Sequence, residues 1–187
     1  MTMNEKNSKN LESIYDFAGI VVVALLSVCI IFTFFFKTSI VVGESMENML
    51  KEGDTLIISS INKEIKYGDV VVISQPNGYE KVLIKRVIAV GGQTISFDEI
   101  SGKVLVDGKP LDEPYIKETM KFNFGMNGKY TVPEGMLFVM GDNRNESADS
   151  RDARVGMIDE RYVVGQVLYR VGDMHLFNAD LEVTENV

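Results

Sequence analysis

Thiol and imidazole chemistry is almost missing from this sequence: its 187 residues hold one cysteine, one histidine and no tryptophan. One cysteine cannot close a disulfide within the chain, and a Cys/His zinc site needs about four such ligands. No metal and no other cofactor is therefore expected. A Ser-His-Asp triad would have to recruit His175, which stands near the C-terminus outside any recognisable constellation. Positive charge is also short. Nineteen basic residues against 27 acidic ones give a net charge of -8, so no nucleic-acid partner is expected. Internal repeats and low-complexity linkers are absent. The overall 45% hydrophobic and 25% charged residues match a soluble average, but they are spread very unevenly.

Residues Phe17 to Phe36 form an uncharged run of 20 residues between Asp16 and Lys37. A helix of that length spans about 30 Å, the thickness of a bilayer core. A buried core helix would carry a polar face, and this run has none. A cleaved secretory signal has an apolar stretch of about 7–15 residues that ends at a small-x-small site. Here the run is longer and continues into Lys37-Thr38-Ser39-Ile40 without such a site, so an uncleaved anchor is expected. Lys6 and Lys9 before the run lean the N-terminus towards the cytoplasm, although Lys37 and Lys51 follow it. The expected organisation is a short cytoplasmic tail over 1–16, a transmembrane helix over 17–36 and an extracytoplasmic domain over 37–187. Residues 1–12 are polar and expected to be mobile, and the acidic tail Asn178 to Val187 to be loose. Cys29 lies inside the apolar run. The remaining domain has no thiol, which excludes a cysteine protease or a sortase-like transpeptidase and suits an extracytoplasmic site.

From Lys37 onward the sequence predicts β structure. Thr55–Ser59, Asp69–Ser74, Val82–Val90, Val104–Val106, Met136–Met140 and Tyr162–Val171 are β-branched or apolar runs. Glycine turns such as Gly53-Asp54, Gly91-Gly92 and Asp107-Gly108 punctuate them. No stretch shows sustained helical periodicity. The fold class is all-β, a sandwich or barrel-like domain. Residues 96–130, rich in glycine and proline, read as an inserted β subdomain.

A serine nucleophile needs a neighbouring base, and with His175 a poor candidate the remaining base type is lysine. Three segments are too polar for ordinary strands. They are Gly43-Glu44-Ser45-Met46, Ile84-Lys85-Arg86-Val87, and Gly141 to Arg151, which reads GDNRNESADSR. Each has a plain reading: a capping turn, an edge guard, a polar loop. A calcium loop fails, because Arg144 occupies a ligand position and the central glycine is absent. In a strand Lys85 and Arg86 point to opposite faces, so at most one is solvated if the other face is core.

In order along the chain, GESM…LKEGD (Gly43 to Asp54), YGDVVV (Tyr67 to Val72), KRVIAVGG (Lys85 to Gly92) and GDNRNESADSR stand behind an N-terminal anchor. So arranged, the chain resembles a bacterial type I signal peptidase over nearly its whole length. One departure is that Asn48 and Met49 replace the family's usual Pro and Thr, which makes the turn after Ser45 less rigid. The resemblance implies a signal-peptidase-like β catalytic domain with a small inserted subdomain. It implies a serine endopeptidase that removes signal peptides from exported preproteins at the cell membrane, near the secretion translocon. Ser45 would be the nucleophile and Lys85 the general base. Ser147 would hydrogen-bond and orient the lysine. Asp149 and Arg151 fall on supporting ion-pair positions, Asp142 and Arg144 on structural ones. With Gly43 where some members carry a hydroxyl residue, the oxyanion would rely on backbone N–H groups of Ser45 and Gly43. Lys85 must be neutral to act, and burial would bring its pKa from about 10.4 to about 7–8.

Only residues 37–44 separate the anchor from Ser45, a span of at most about 29 Å, so Ser45 is held close to a bilayer surface. An extended substrate places its -1 and -3 side chains on one side, which requires both to be small over shallow pockets. Val41, Met46, Leu83 and Ile84 are the expected pocket residues. Two alternatives remain beside this reading. One is a self-cleaving repressor-type Ser-Lys protease, which is soluble and lacks an anchor. The other is a membrane-tethered β domain that binds a partner without catalysis.

Overall fold

The computed structural model describes residues 3–61, 64–74, 79–121 and 123–176. The chain divides into two compact units, Met1–Lys37 and Thr38–Val187. The first is helix α1, Met3–Phe35. Its segment Ser13–Phe35, with mean hydropathy 2.8 and no buried share, is long and apolar enough to cross a membrane. The helix starts well before the apolar run, at Met3. Residues 3–16 contain neither proline nor glycine. Once the apolar segment supplies a nucleus, adding such residues to a helix costs little. The acidic tail Asn178–Val187 lies outside the described residues.

The second unit is mostly β. Its larger sheet has eight strands. Seven run in the order β1 (Phe36–Ile40), β2 (Thr55–Ser59), β11 (Val163–Arg170), β3 (Val70–Ile73), β4 (Leu83–Val90), β9 (Met136–Met140) and β10 (Ile158–Asp159). Strand β12 (Asp173–Leu176) pairs with β11. The backbone of His175 therefore lies in β12. A smaller sheet orders β7 (Lys109–Pro110), β6 (Val104–Val106), β5 (Thr94–Phe97) and β8 (Lys129–Thr131). The β6–β7 turn is Asp107-Gly108, with φ of 52° and 79°. Positive φ at both positions is what a two-residue hairpin turn requires.

Strand β3 is central because its four residues, Val70 to Ile73, are apolar on both faces and all buried. Val70 and Val72 join a core cluster with Val41, Met46, Leu50, Leu56, Ile58 and Val167. Val71 and Ile73 join a second cluster with Leu83, Val87, Leu137 and Val139 on the other face. Each such side chain contributes about 1.5–3 kcal/mol through burial. Strand β4 pairs antiparallel with β3 and with β9, and its register with β9 shifts between Val87 and Ala89. Beyond that bulge Ile88 and Ala89 pack with Ile95, Val104, Phe138 and Met140, which ties the small sheet to the large one.

Candidate active site

Two features of local sequence bring Ser45 to the middle of β4. The first is the turn that carries it. Met46 and Leu50 are buried, at 1% and 0% exposure, and pull the Gly43–Leu50 turn onto the first cluster. Inside the turn the Glu47 N–H donates to Glu44 O and the Leu50 N–H to Met46 O. The second is the loop that follows β9. The Asn143 N–H donates to Ser45 O at 3.0 Å, and Asn143 Nδ2 donates to Glu44 O at 3.1 Å. The peptide of Ser45 is thus clamped by the Gly141–Arg151 segment, about a hundred residues later in the chain.

Lys85 Nζ donates to Ser45 Oγ at 2.6 Å. The register Val71↔Lys85 puts the lysine on the face of β4 shared with Leu83 and Val87, opposite Val71. The β9 register Arg86↔Met140 brings Gly141, one residue further on, alongside it. Lys85 is 3% exposed. Burial pushes its pKa down to about 8, outweighing the carboxylates of Asp149 and Asp142, while Arg151 pushes in the same direction as burial. A lysine so placed has a substantial neutral fraction just above neutral pH. A neutral amine can take a proton from a hydroxyl 2.6 Å away.

Arg86, on the opposite face of β4, is buried too. Neither member of the pair is solvated. Arg86 forms a bidentate ion pair with Asp142 at 2.8 and 2.7 Å, donates to Gly68 O and stacks 4.1 Å from the Tyr115 ring centroid. Asp142 therefore pairs with Arg86, while Arg144 pairs with Glu113 through both guanidinium nitrogens. Asp149 and Arg151 pair with each other at 2.8 Å, fully buried, and Asp149 Oδ2 also accepts from the Gly141 N–H. Glu113, Tyr115 and Asn143 escaped the sequence reading. Glu113 and Tyr115 sit in the glycine- and proline-rich insertion without a periodic pattern, so only tertiary contact exposes them. Asn143 was inside the quoted GDNR segment but has no acid–base chemistry to draw attention.

Gly141 has to be glycine. A Cβ there would lie 2.3 Å from Ser147 Oγ and 2.5 Å from Ser45 O. The same numbers locate Ser147 beside the Ser45 main chain. Its hydroxyl is buried and makes no hydrogen bond among the described residues. This corrects the expectation that Ser147 bonds the lysine amine. The lysine donates to Ser45 instead.

The pocket residues separate into two groups. Val41, Met46 and Ile84 converge on the first core cluster. Leu83 belongs to the second cluster with Val71 and Val87, on the face of β4 that carries Lys85. Neighbouring residues on a strand face opposite sides, and Leu83 and Ile84 are neighbours. Gly43 has φ of 86°, a conformation that favours glycine just before Ser45. A separate groove of about 630 Å3, lined by Glu64, Glu134, Glu160 and Arg161, contains neither Ser45 nor Lys85.

Residues 14–171 match the family described as signal peptidase, peptidase S26. The chain belongs to the S26 signal peptidase family. It is 33% identical to a signal peptidase I of Bacillus licheniformis over 173 residues, covering 86% of this chain and 90% of that one. It is 35% identical to signal peptidase I P of Bacillus subtilis subsp. natto, covering 87% and 91%. A solved signal peptidase I from Enterococcus faecalis superposes with a TM-score of 0.46 and 26% identity, over 56% of this chain and 97% of its own. In this S26 chain both Ser45 and Lys85 lie within the matched range.

Proposed function

We propose that this protein is a membrane-anchored serine endopeptidase that removes N-terminal signal peptides from exported preproteins through a Ser45–Lys85 dyad. The observation that carries the reading is the 2.6 Å contact between Ser45 Oγ and a buried lysine whose pKa is brought down to about 8. The names of the relatives, signal peptidase I, supply the substrate class.

In the proposed reaction, Lys85 in its neutral form takes the Ser45 hydroxyl proton as Oγ attacks the scissile carbonyl carbon. The carbonyl oxygen becomes an oxyanion, which the backbone N–H groups of Ser45 and Gly43 stabilise. Collapse breaks the C–N bond, and the leaving amine, which becomes the mature N-terminus, takes the proton from Lys85. The signal peptide stays on Ser45 as an ester. Water then attacks the ester while Lys85 accepts its proton, and Ser45 regains the proton as the signal peptide leaves.

Val41, Met46, Leu83 and Ile84 line the shallow pockets where small -1 and -3 side chains are accepted. The helix Ser13–Phe35 anchors the protein in the cell membrane, with the N-terminus cytoplasmic and the Thr38–Val187 unit outside, near the secretion translocon. Incubation of the full chain in detergent with a preprotein tests the reading. Mature protein should appear, cut after a small residue, and replacing the -1 and -3 residues by leucine should stop the release. Equal release from the leucine-substituted preprotein would contradict it.

A further inference from the structure

We infer that the segment Glu113–Lys117, which leaves the small sheet after β7, positions the Ser45–Lys85 pair, with Glu113 as a positioning residue acting through Arg144. The inference rests on the reading of Ser45 and Lys85 as the catalytic pair.

The contacts run in one direction. The Glu113 carboxylate accepts from both terminal nitrogens of Arg144. Both side chains are buried, at 6% and 1% exposure. Arg144 Nε donates to Gly141 O at 3.1 Å. Gly141 in turn is the residue whose backbone packs against Ser45 O and Ser147, with no room for a single added carbon. Arg144 O accepts from Arg151, the partner of Asp149, whose carboxylate also bonds the Gly141 N–H. Gly141 is therefore held at its carbonyl by Arg144 and at its N–H by Asp149.

The same segment grips the neighbouring residues. The Tyr115 hydroxyl donates to Glu113 Oε1 at 2.9 Å, while Arg86 stacks on its ring. Burial, and then the Glu113 carboxylate, push the Tyr115 phenol far above its usual range, so it remains a proton donor. The Lys117 N–H donates to Asp142 O at 3.0 Å, and Lys117 Nζ pairs with Glu47 at 2.7 Å, two residues after Ser45. A segment of five residues thus touches the ion pairs on both sides of Gly141 and the turn that carries the nucleophile. Among the described residues none of its side chains hydrogen-bonds to Ser45 Oγ or Lys85 Nζ, so its effect on the reaction is through geometry.

Misplacing a reacting group by about 1 Å costs about 100-fold in rate. Glu113→Ala and Glu113→Gln in the full chain, assayed in detergent on a preprotein, should lower kcat by about 10- to 100-fold with KM within about twofold. The glutamine, which keeps shape and an acceptor oxygen, should show the smaller loss. Circular dichroism at the assay temperature normalises each rate to folded protein. If Glu113 acts through Arg144, the double variant Glu113→Ala/Arg144→Ala should be no slower than Arg144→Ala alone. Wild-type kcat per folded molecule in both Glu113 variants, or losses that multiply in the double variant, would overturn the inference. The assay carries its own control: an active wild type with inactive Ser45→Ala upholds the dyad whatever Glu113 does, and an equally active Ser45→Ala sinks the dyad itself.

Discussion

Arg86 and Lys85 are adjacent on β4 and are buried on opposite faces of it, one paired with Asp142 and the other bonded to Ser45. The strand therefore carries an ion-paired cation and a hydroxyl-bonded amine back to back. Arg86 has a full counter-charge, while the direct partner of the Lys85 amine among the described residues is a hydroxyl. That asymmetry leaves Arg86 charged and makes Lys85 easy to deprotonate.

The buried pair gives the first prediction. Removing one partner leaves an uncompensated charge in the core, which costs about 3–5 kcal/mol. Asp142→Ala should lose that much stability in urea unfolding monitored by circular dichroism. A loss within about 0.5 kcal/mol, typical of a surface change, would show that the pair carries no such weight.

If Lys85 is the general base of the proposed dyad, it sets the pH dependence of activity. With its pKa lowered to about 8, kcat/KM should rise from pH 6 and level off above pH 8, with one proton lost near the midpoint. A profile that is flat across this range, or one that peaks near pH 5, is inconsistent with a neutral-lysine base.

Stability should respond to the same group with a definite sign. Between about pH 8 and 10.5 the unfolded chain holds a proton on Lys85 that the folded chain has lost, so stability rises with pH across that window. Below pH 8 the full burial penalty is present, about 3 kcal/mol. Lys85→Met should therefore be more stable than wild type at pH 7, and its advantage should shrink between pH 8 and 10.5. Parallel stability curves for the two proteins over that window would contradict the depressed pKa.

Gly141 is the tightest backbone approach at the site. In Gly141→Ala the new carbon meets Ser45 O at 2.5 Å, so the Ser45 peptide has to move. The expected result is a fall in kcat of about 100-fold. Adding Ser147→Gly should not rescue it, since the clash with Ser45 O is main-chain. Recovery in the double variant would place the obstruction at the Ser147 side chain instead.

Much of this was legible before any coordinates. Strands β2, β6 and β9 fall on the bounds read from their β-branched or apolar runs, because local residue choice and turn glycines set them. Ser45 and Lys85 stood out as polar residues in apolar surroundings and took their expected roles from the family resemblance, and the structure brings the two side chains to 2.6 Å. The partners of Arg86 and Arg144 were not legible, because ion pairs across 56 and 31 residues leave no local periodicity. Nor did the sequence show that Leu83 and Ile84, side by side on β4, join different core clusters. Helix α1 ran back to Met3 because polar residues carry no signal against continuing a helix already nucleated.

The most direct test of the dyad uses three full-length proteins, wild type, Ser45→Ala and Lys85→Ala, each incubated with a preprotein in detergent at pH 8. The product N-terminus is identified by mass spectrometry. The dyad predicts that wild type releases a mature N-terminus after a small residue at -1, while both variants, folded by circular dichroism, release none above the uncatalysed background. Mature product from Lys85→Ala at the wild-type rate would contradict it.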